Sequence, residues 1–193
     1  MKPTLTDFLQ NTTAFITPQI AEEIAAQFSP CGFAKNEYFL KAGRVSSRYL
    51  FLEEGFMRAF AYNTEGDEVT TNFYSAGQVV FEVSSFFNHT PSLENIQTLT
   101  DCRGWFINFE QLNALFHNLP QFREFGRSVL VKGFAALKTR MLSQITETAE
   151  ERYMRLMQTA PDVFLHAPLK YIASYLGITD TSLSRIRKEL QNK

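Results

Sequence analysis

The sequence predicts an α+β protein: an N-terminal antiparallel β-roll (jelly roll) with flanking helices, a long central helix, and a helical C-terminal helix-turn-helix domain. Three observations predict it. Between Tyr38 and Phe109, short apolar runs alternate with turn residues, as in all-β modules. From residue 111 onward the apolar spacing switches to steps of three and four, which is helical. Near the C-terminus, Ala173 and Gly177 stand four residues apart inside an apolar frame. The expected division is a β-roll over 1–120, a central helix over 121–145 and a helix-turn-helix domain over 146–193.

Residues 4–28 read as helical. Thr17-Pro18 supplies an N-cap with proline at the first helical position, Ile20, Ile24 and Phe28 recur on one face, and Ser29-Pro30 closes the segment. The strand runs are 38–40, 49–52, 56–62, 69–74, 79–83, 96–99 and 105–109. Turn groups such as Glu54-Gly55, Thr64-Glu65-Gly66-Asp67 and Ala76-Gly77 separate them. Their aromatic side chains read as core. Leu112, Leu115, Phe116 and Leu119 then form a helical face ahead of Pro120. Phe122, Phe125, Val129, Phe134, Leu137, Met141, Leu142 and Ile145 continue it as one helix of roughly 25 residues, about 37 Å long. Its broad apolar stripe, with the small residues Gly133, Ala135 and Ala136, predicts a dimer seam. Thr148 and Glu151 make a capping box for a further helix that ends before Pro161, and 164–168 reads as a loop.

Residues 169–190 carry the strongest signal. Two helices crossing steeply need a small residue at their contact, which Ala173 provides, and a turn residue at positive φ, which Gly177 provides. Ile172, Leu176, Ile178, Leu183 and Ile186 form the shared apolar wedge, and Thr179 caps the second helix. That leaves Asp180, Thr181, Ser182, Ser184, Arg185 and Lys188 facing outward. In a DNA-reading helix Arg185 is the candidate for a bidentate guanine contact, Ser182 and Ser184 for bases or phosphates, and Arg187 and Lys188 for backbone.

A net charge of −1 first argues against nucleic acid, but it averages unlike parts. Residues 1–120 carry 7 basic and 13 acidic side chains, 121–145 carry 5 and 1, and 168–193 carry 5 and 2. Cys31 and Cys102 read as free thiols of a reducing compartment. No apolar signal-peptide core follows the N-terminus and no run of about 18 apolar residues exists, so a soluble cytoplasmic protein is expected, without a membrane partner. A metal-dependent jelly-roll enzyme would need clustered His and carboxylate ligands. His89, His117 and His166 form no HxH or HxxxE pair, and no P-loop, GxGxxG or nucleophile elbow is present, so neither catalysis nor a metal is expected.

The order of parts resembles the Crp/Fnr family of bacterial transcription regulators. The most specific stretches are 148–153, 172–179 and 183–187, which look like the short members common in Bacteroidetes. The resemblance implies a cyclic-nucleotide-binding-like roll that senses a small effector, a homodimer through the central helix, a double-stranded DNA operator and RNA polymerase as a partner. The chain ends three residues after Leu190, so the β-hairpin wing of some members is not expected. By resemblance the effector pocket is Glu82, Val83, Ser84, Ser85, Ser92 and Leu93. Glu82 matches the ribose-binding acid of cyclic-nucleotide-binding relatives. Phe81, however, replaces a glycine, Ser92 or Leu93 stands where an arginine would meet the cyclic phosphate, and 59–102 contain no Lys or Arg. Binding of cAMP or cGMP is therefore expected to be weak or absent, and the effector is left unassigned. Two cysteines are too few for the iron–sulfur cluster of the oxygen-sensing branch. His89 or His117 could ligate a haem, though each reads as a surface or packing residue. The alternative to DNA binding is a ligand-sensing module that regulates a protein partner.

Overall fold

A computed structural model describes residues 4–191. The elements run α1 (Leu5–Thr12), α2 (Pro18–Ala25), β1 (Ser29–Phe33), β2 (Tyr38–Leu40), β3 (Arg48–Glu54), β4 (Phe56–Tyr62), β5 (Glu68–Ser75) and β6 (Gln78–Val80). Then come α3 (Val83–Asn88), β7 (Asn95–Thr98), β8 (Cys102–Asn108), α4 (Phe109–Asn118), α5 (Pro120–Thr146), α6 (Ala149–Thr159), α7 (Asp162–His166), α8 (Leu169–Leu176) and α9 (Asp180–Gln191). The strands form two four-stranded antiparallel sheets, ordered β1-β8-β3-β6 and β2-β7-β4-β5. The expected α+β architecture is what the chain adopts.

The differences are local. The helical segment expected over 4–28 is two helices, the second opening at the expected Thr17-Pro18 cap, because a residue preceding proline is driven out of the α region. Thr17 is extended (φ −74°, ψ 164°) and caps α2 instead of continuing α1. Ser29-Pro30 does not end a helix but enters β1, an edge strand, where proline removes no ladder bond that the sheet needs. The run 79–83 splits: β6 stops at Val80, and the Glu82 carboxylate accepts from the amides of Ser84 and Ser85, opening α3. Phe109 starts α4 rather than ending a strand, behind the capping box of Asn108 and Gln111. The expected loop over 164–168 is largely α7, a single turn started at Pro161 and stopped before Pro168.

Both sheets are covered on both faces, which explains why β3 and β4 read as continuous apolar runs rather than alternating ones. Inside the roll, Leu50, Leu52, Met57, Ala59, Val80 and Ile96 pack together. Outside the first sheet, Tyr49 and Phe51 meet α1, α2, α4 and the start of α5 through Leu9, Ile24, Leu112 and Phe125. Gly126 belongs to this layer, since a Cβ there would collide with the Phe116 ring. Outside the second sheet, Phe56, Phe73 and Leu99 join Tyr153, Ile172, Leu176 and Leu183 in one core with the C-terminal helices. The helix-turn-helix is thus seated on the roll.

α5 is 27 residues long, about 40 Å. Its first two turns pack on the roll through buried Phe122, Phe125 and Gly126. Beyond them Leu130, Val131, Phe134, Leu137, Met141, Leu142 and Ile145 remain exposed, Phe134 at 70% and Ile145 at 75%.

Candidate functional site

The helix-turn-helix is built as its sequence demands. Gly177 takes the left-handed conformation (φ 68°) and ends α8, and its amide donates to the Ala173 and Ser174 carbonyls. Ala173 is fully buried beside Ile172, Leu176, Leu183 and Ile186. The Thr179 hydroxyl accepts from the Ser182 amide at 3.2 Å. On α9, Asp180, Thr181, Ser184, Arg185 and Lys188 are exposed, while Ser182 and Arg187 are half-buried. Arg185 is 75% exposed with Glu189 3.9 Å away, a pair too loose and too wet to hold it. The polar, exposed face of α9 is free to meet a groove.

A cavity of about 680 Å³ separates the second sheet from α5. Of the six residues expected at the effector site, Glu82 and Val83 line it. The other four lie off it. Ser85 is buried, donates to the Thr90 carbonyl at 2.5 Å and accepts from the Ser46 amide. The Ser92 hydroxyl bonds the backbone of Glu94 in both directions. Ser84 is exposed on α3, and Leu93 is 86% exposed. The roll is cation-free where expected, but the cavity is not, because α5 places Lys132 and Arg140 in its wall.

Sequence reasoning missed these two and also Tyr74 and Tyr175, which line the same space. The available signal was the spacing Lys132, Ala136, Arg140: two cations and a small residue on one face of a helix that must pass the roll. Tyr74 is a half-buried part of the wall. Burial pushes its hydroxyl up to about 12; a hydrogen bond from Asn72 opposes the shift, and the carboxylates of Glu94 and Glu82 add to it.

The cavity reaches the helix-turn-helix itself. The Arg140 guanidinium donates to the Thr71 carbonyl of β5 and, at 3.5 Å, to the Tyr175 carbonyl of α8. It also lies 4.1 Å from the centre of the Tyr175 ring. Nearby, the Ser174 hydroxyl accepts from the Thr70 amide at 2.9 Å and donates to the Glu68 carbonyl at 3.2 Å. These bonds dock α8 against strand β5.

Elsewhere, Cys31 and Cys102 have thiol pKa values raised by burial. His89 packs its ring on Phe109, His117 bonds the Asn113 carbonyl, and His166 lies against Phe56. Among the described residues no group of three or more His, Cys, Asp or Glu is placed to hold a metal ion. No helix among them is long and apolar enough to cross a membrane.

A roll with a cavity, a long helix along it and a helix-turn-helix docked to its second sheet are the parts of the chain. Residues 31–118 match the cyclic nucleotide-binding domain family. The fumarate and nitrate reduction regulatory protein of Yersinia pestis is 24% identical over 169 residues, covering 81% of this chain and 66% of that protein. The matched part is thus just under two thirds of the relative's length. FixK2 from Bradyrhizobium japonicum has the same fold, with a TM-score of 0.72 at 17% identity over 86% of this chain and 85% of that one. So does the c-di-GMP-responsive global regulator CLP of Xanthomonas campestris, with a TM-score of 0.69 at 16% identity over 89% and 90%. In fold and, at low identity, in sequence the chain is similar to regulators of the Crp/Fnr type. The relatives named here are regulatory proteins, not enzymes.

Proposed function

We propose that this protein is a cytoplasmic, dimeric, sequence-specific DNA-binding transcription regulator of the Crp/Fnr type. One observation carries the reading: a helix-turn-helix with Gly177 at positive φ presents an exposed polar α9 to solvent. The exposed stripe of α5, with open space around Gly133, supports a homodimer along that helix. A dimer would set two α9 helices on half-sites about one helical turn apart. Arg185 is the base-reading residue. Thr179, Asp180, Thr181, Ser182 and Ser184 form the groove-facing end, and Arg187 and Lys188 hold backbone. The roll senses a small effector in the cavity of Glu82 and Val83, and RNA polymerase is the partner at promoters.

Gel-shift selection from genomic fragments tests this. Binding should favour an inverted repeat and weaken steeply with salt. Arg185→Ala should remove roughly 1–3 kcal/mol of discrimination at one base pair while leaving the dimer intact. Failure to select any DNA would favour a sensor that acts on a protein partner instead.

A further inference from the structure

Arg140 has an unusual set of neighbours. It is half-buried in the cavity wall, yet among the described residues no carboxylate pairs with it. Its two hydrogen-bond acceptors are neutral main-chain carbonyls, Thr71 and Tyr175, and the Tyr175 ring supports one face of the guanidinium. A guanidinium carries five N–H donors, so most remain available to a ligand. A carboxylate is the complement of that fork. It takes two parallel N–H bonds, each charge-assisted and roughly twice as strong as one to a neutral acceptor. The walls beside it are apolar and aromatic, formed by Phe8, Phe73, Phe81, Val129 and Leu137. Across the cavity stand Glu82 and Glu94. Glu82 is committed to the amides of Ser84 and Ser85, and both acids repel a second negative charge.

We infer that the cavity takes a small organic monocarboxylate with an apolar body, its carboxylate held by Arg140, and that this binding loosens α8 from β5. The inference rests on the proposed sensor role of the roll and deepens it. The second half follows from the same atoms. A carboxylate on the remaining donors draws the guanidinium into the cavity and away from the Thr71 and Tyr175 carbonyls. Those two bonds join the sheet to the reading head, so occupancy of the cavity reaches the head through one side chain. Lys132, two turns earlier on the same helix face, is about 12 Å away along the axis and plays no part in this bond.

Calorimetry on the full chain with 3-phenylpropionate and its neutral isostere 3-phenylpropanamide tests the site. The acid should bind at least tenfold more tightly than the amide, and cAMP more weakly than the acid. Arg140→Gln should erase the preference, Arg140→Lys should keep part of it, and Lys132→Gln should leave it unchanged. Hydrogen exchange should speed up in 169–176 when the acid is added. Equal affinity for acid and amide, no binding of the acid at millimolar concentration, or an unchanged preference in Arg140→Gln would overturn the site. Binding without faster exchange in α8 would overturn the coupling. A protein that selects DNA but ignores the acid refutes this inference alone, and one that binds the acid but never DNA refutes the regulator reading alone.

Discussion

The Arg58 guanidinium of β4 stands 3.5 Å from the centre of the Tyr171 ring in α8 and 4.0 Å from that of Phe60, sandwiched between the roll and the helix-turn-helix. Arg58 is 1% exposed, and its charge is met by Glu68 at 2.5 Å and by the Gln97 amide oxygen at 3.3 Å. Its Nε and Nη1 are buried without a partner. A charge so enclosed depends on its counter-ion, whereas a neutral side chain of similar volume would escape the desolvation penalty. Glu68→Gln should therefore destabilise the protein by about 2 kcal/mol, reduced from the fully buried case because Glu68 reaches solvent. Arg58→Met should lose less. Urea denaturation of both variants checks the order, and an Arg58→Met loss larger than that of Glu68→Gln would contradict it.

Gly177 holds the turn at φ 68°, where a Cβ meets backbone crowding and would also lie 3.3 Å from Gln144 Oε1. Gly177→Ala should cost about 1–2 kcal/mol, and Gly177→Asn less, since asparagine tolerates this conformation. Thermal melts of the two variants read the difference.

What the sequence made legible divides by range. The helix-turn-helix could be read residue by residue because its determinants are local: a small residue, a positive-φ residue and a cap within seven positions. The strands could be read because turns punctuate them, though Val83 and Phe109 fell on the wrong side of helix starts that side-chain caps decide. The cavity could not be read in the same way. Its walls come from β5, β6, α5 and α8, and no pattern within the roll announces that α5 carries the cations. Ser85 and Ser92 looked available as polar residues near Glu82, yet both hydroxyls are used to fix the backbone around α3. Arg58 offered a clue that went unread: a lone cation inside Phe56-Met57-Arg58-Ala59-Phe60 predicts a strand whose outer face is covered by something able to accommodate a charge.

The stripe on α5 predicts a separable effect on assembly. Phe134 and Ile145 are among its most exposed apolar side chains and make no part of the three cores. Phe134→Glu combined with Ile145→Glu should leave the folded content of each chain intact by circular dichroism and shift sedimentation from dimer to monomer. Operator affinity should then fall sharply, because each half-site would be bound alone. A double variant that still sediments as a dimer would place the seam elsewhere.

Two tyrosines tie alkaline stability to the architecture around the cavity. Burial holds the Tyr49 hydroxyl far above its ordinary range and lifts that of Tyr74 to about 12. In the unfolded chain both ionise near 10. Between pH 10 and about 12 the unfolded state therefore binds fewer protons than the native one, and stability must fall with rising pH. Below pH 10 both states keep the phenols neutral and this contribution is complete. At pH 11, tyrosinate absorbance near 295 nm should stay below the unfolded value, with two of the seven tyrosines silent until the protein opens. Tyr74→Phe should flatten the pH dependence over that window without disturbing the apolar contacts of the ring, whereas a variant titrating like the parent would show that Tyr74 is not enclosed as described.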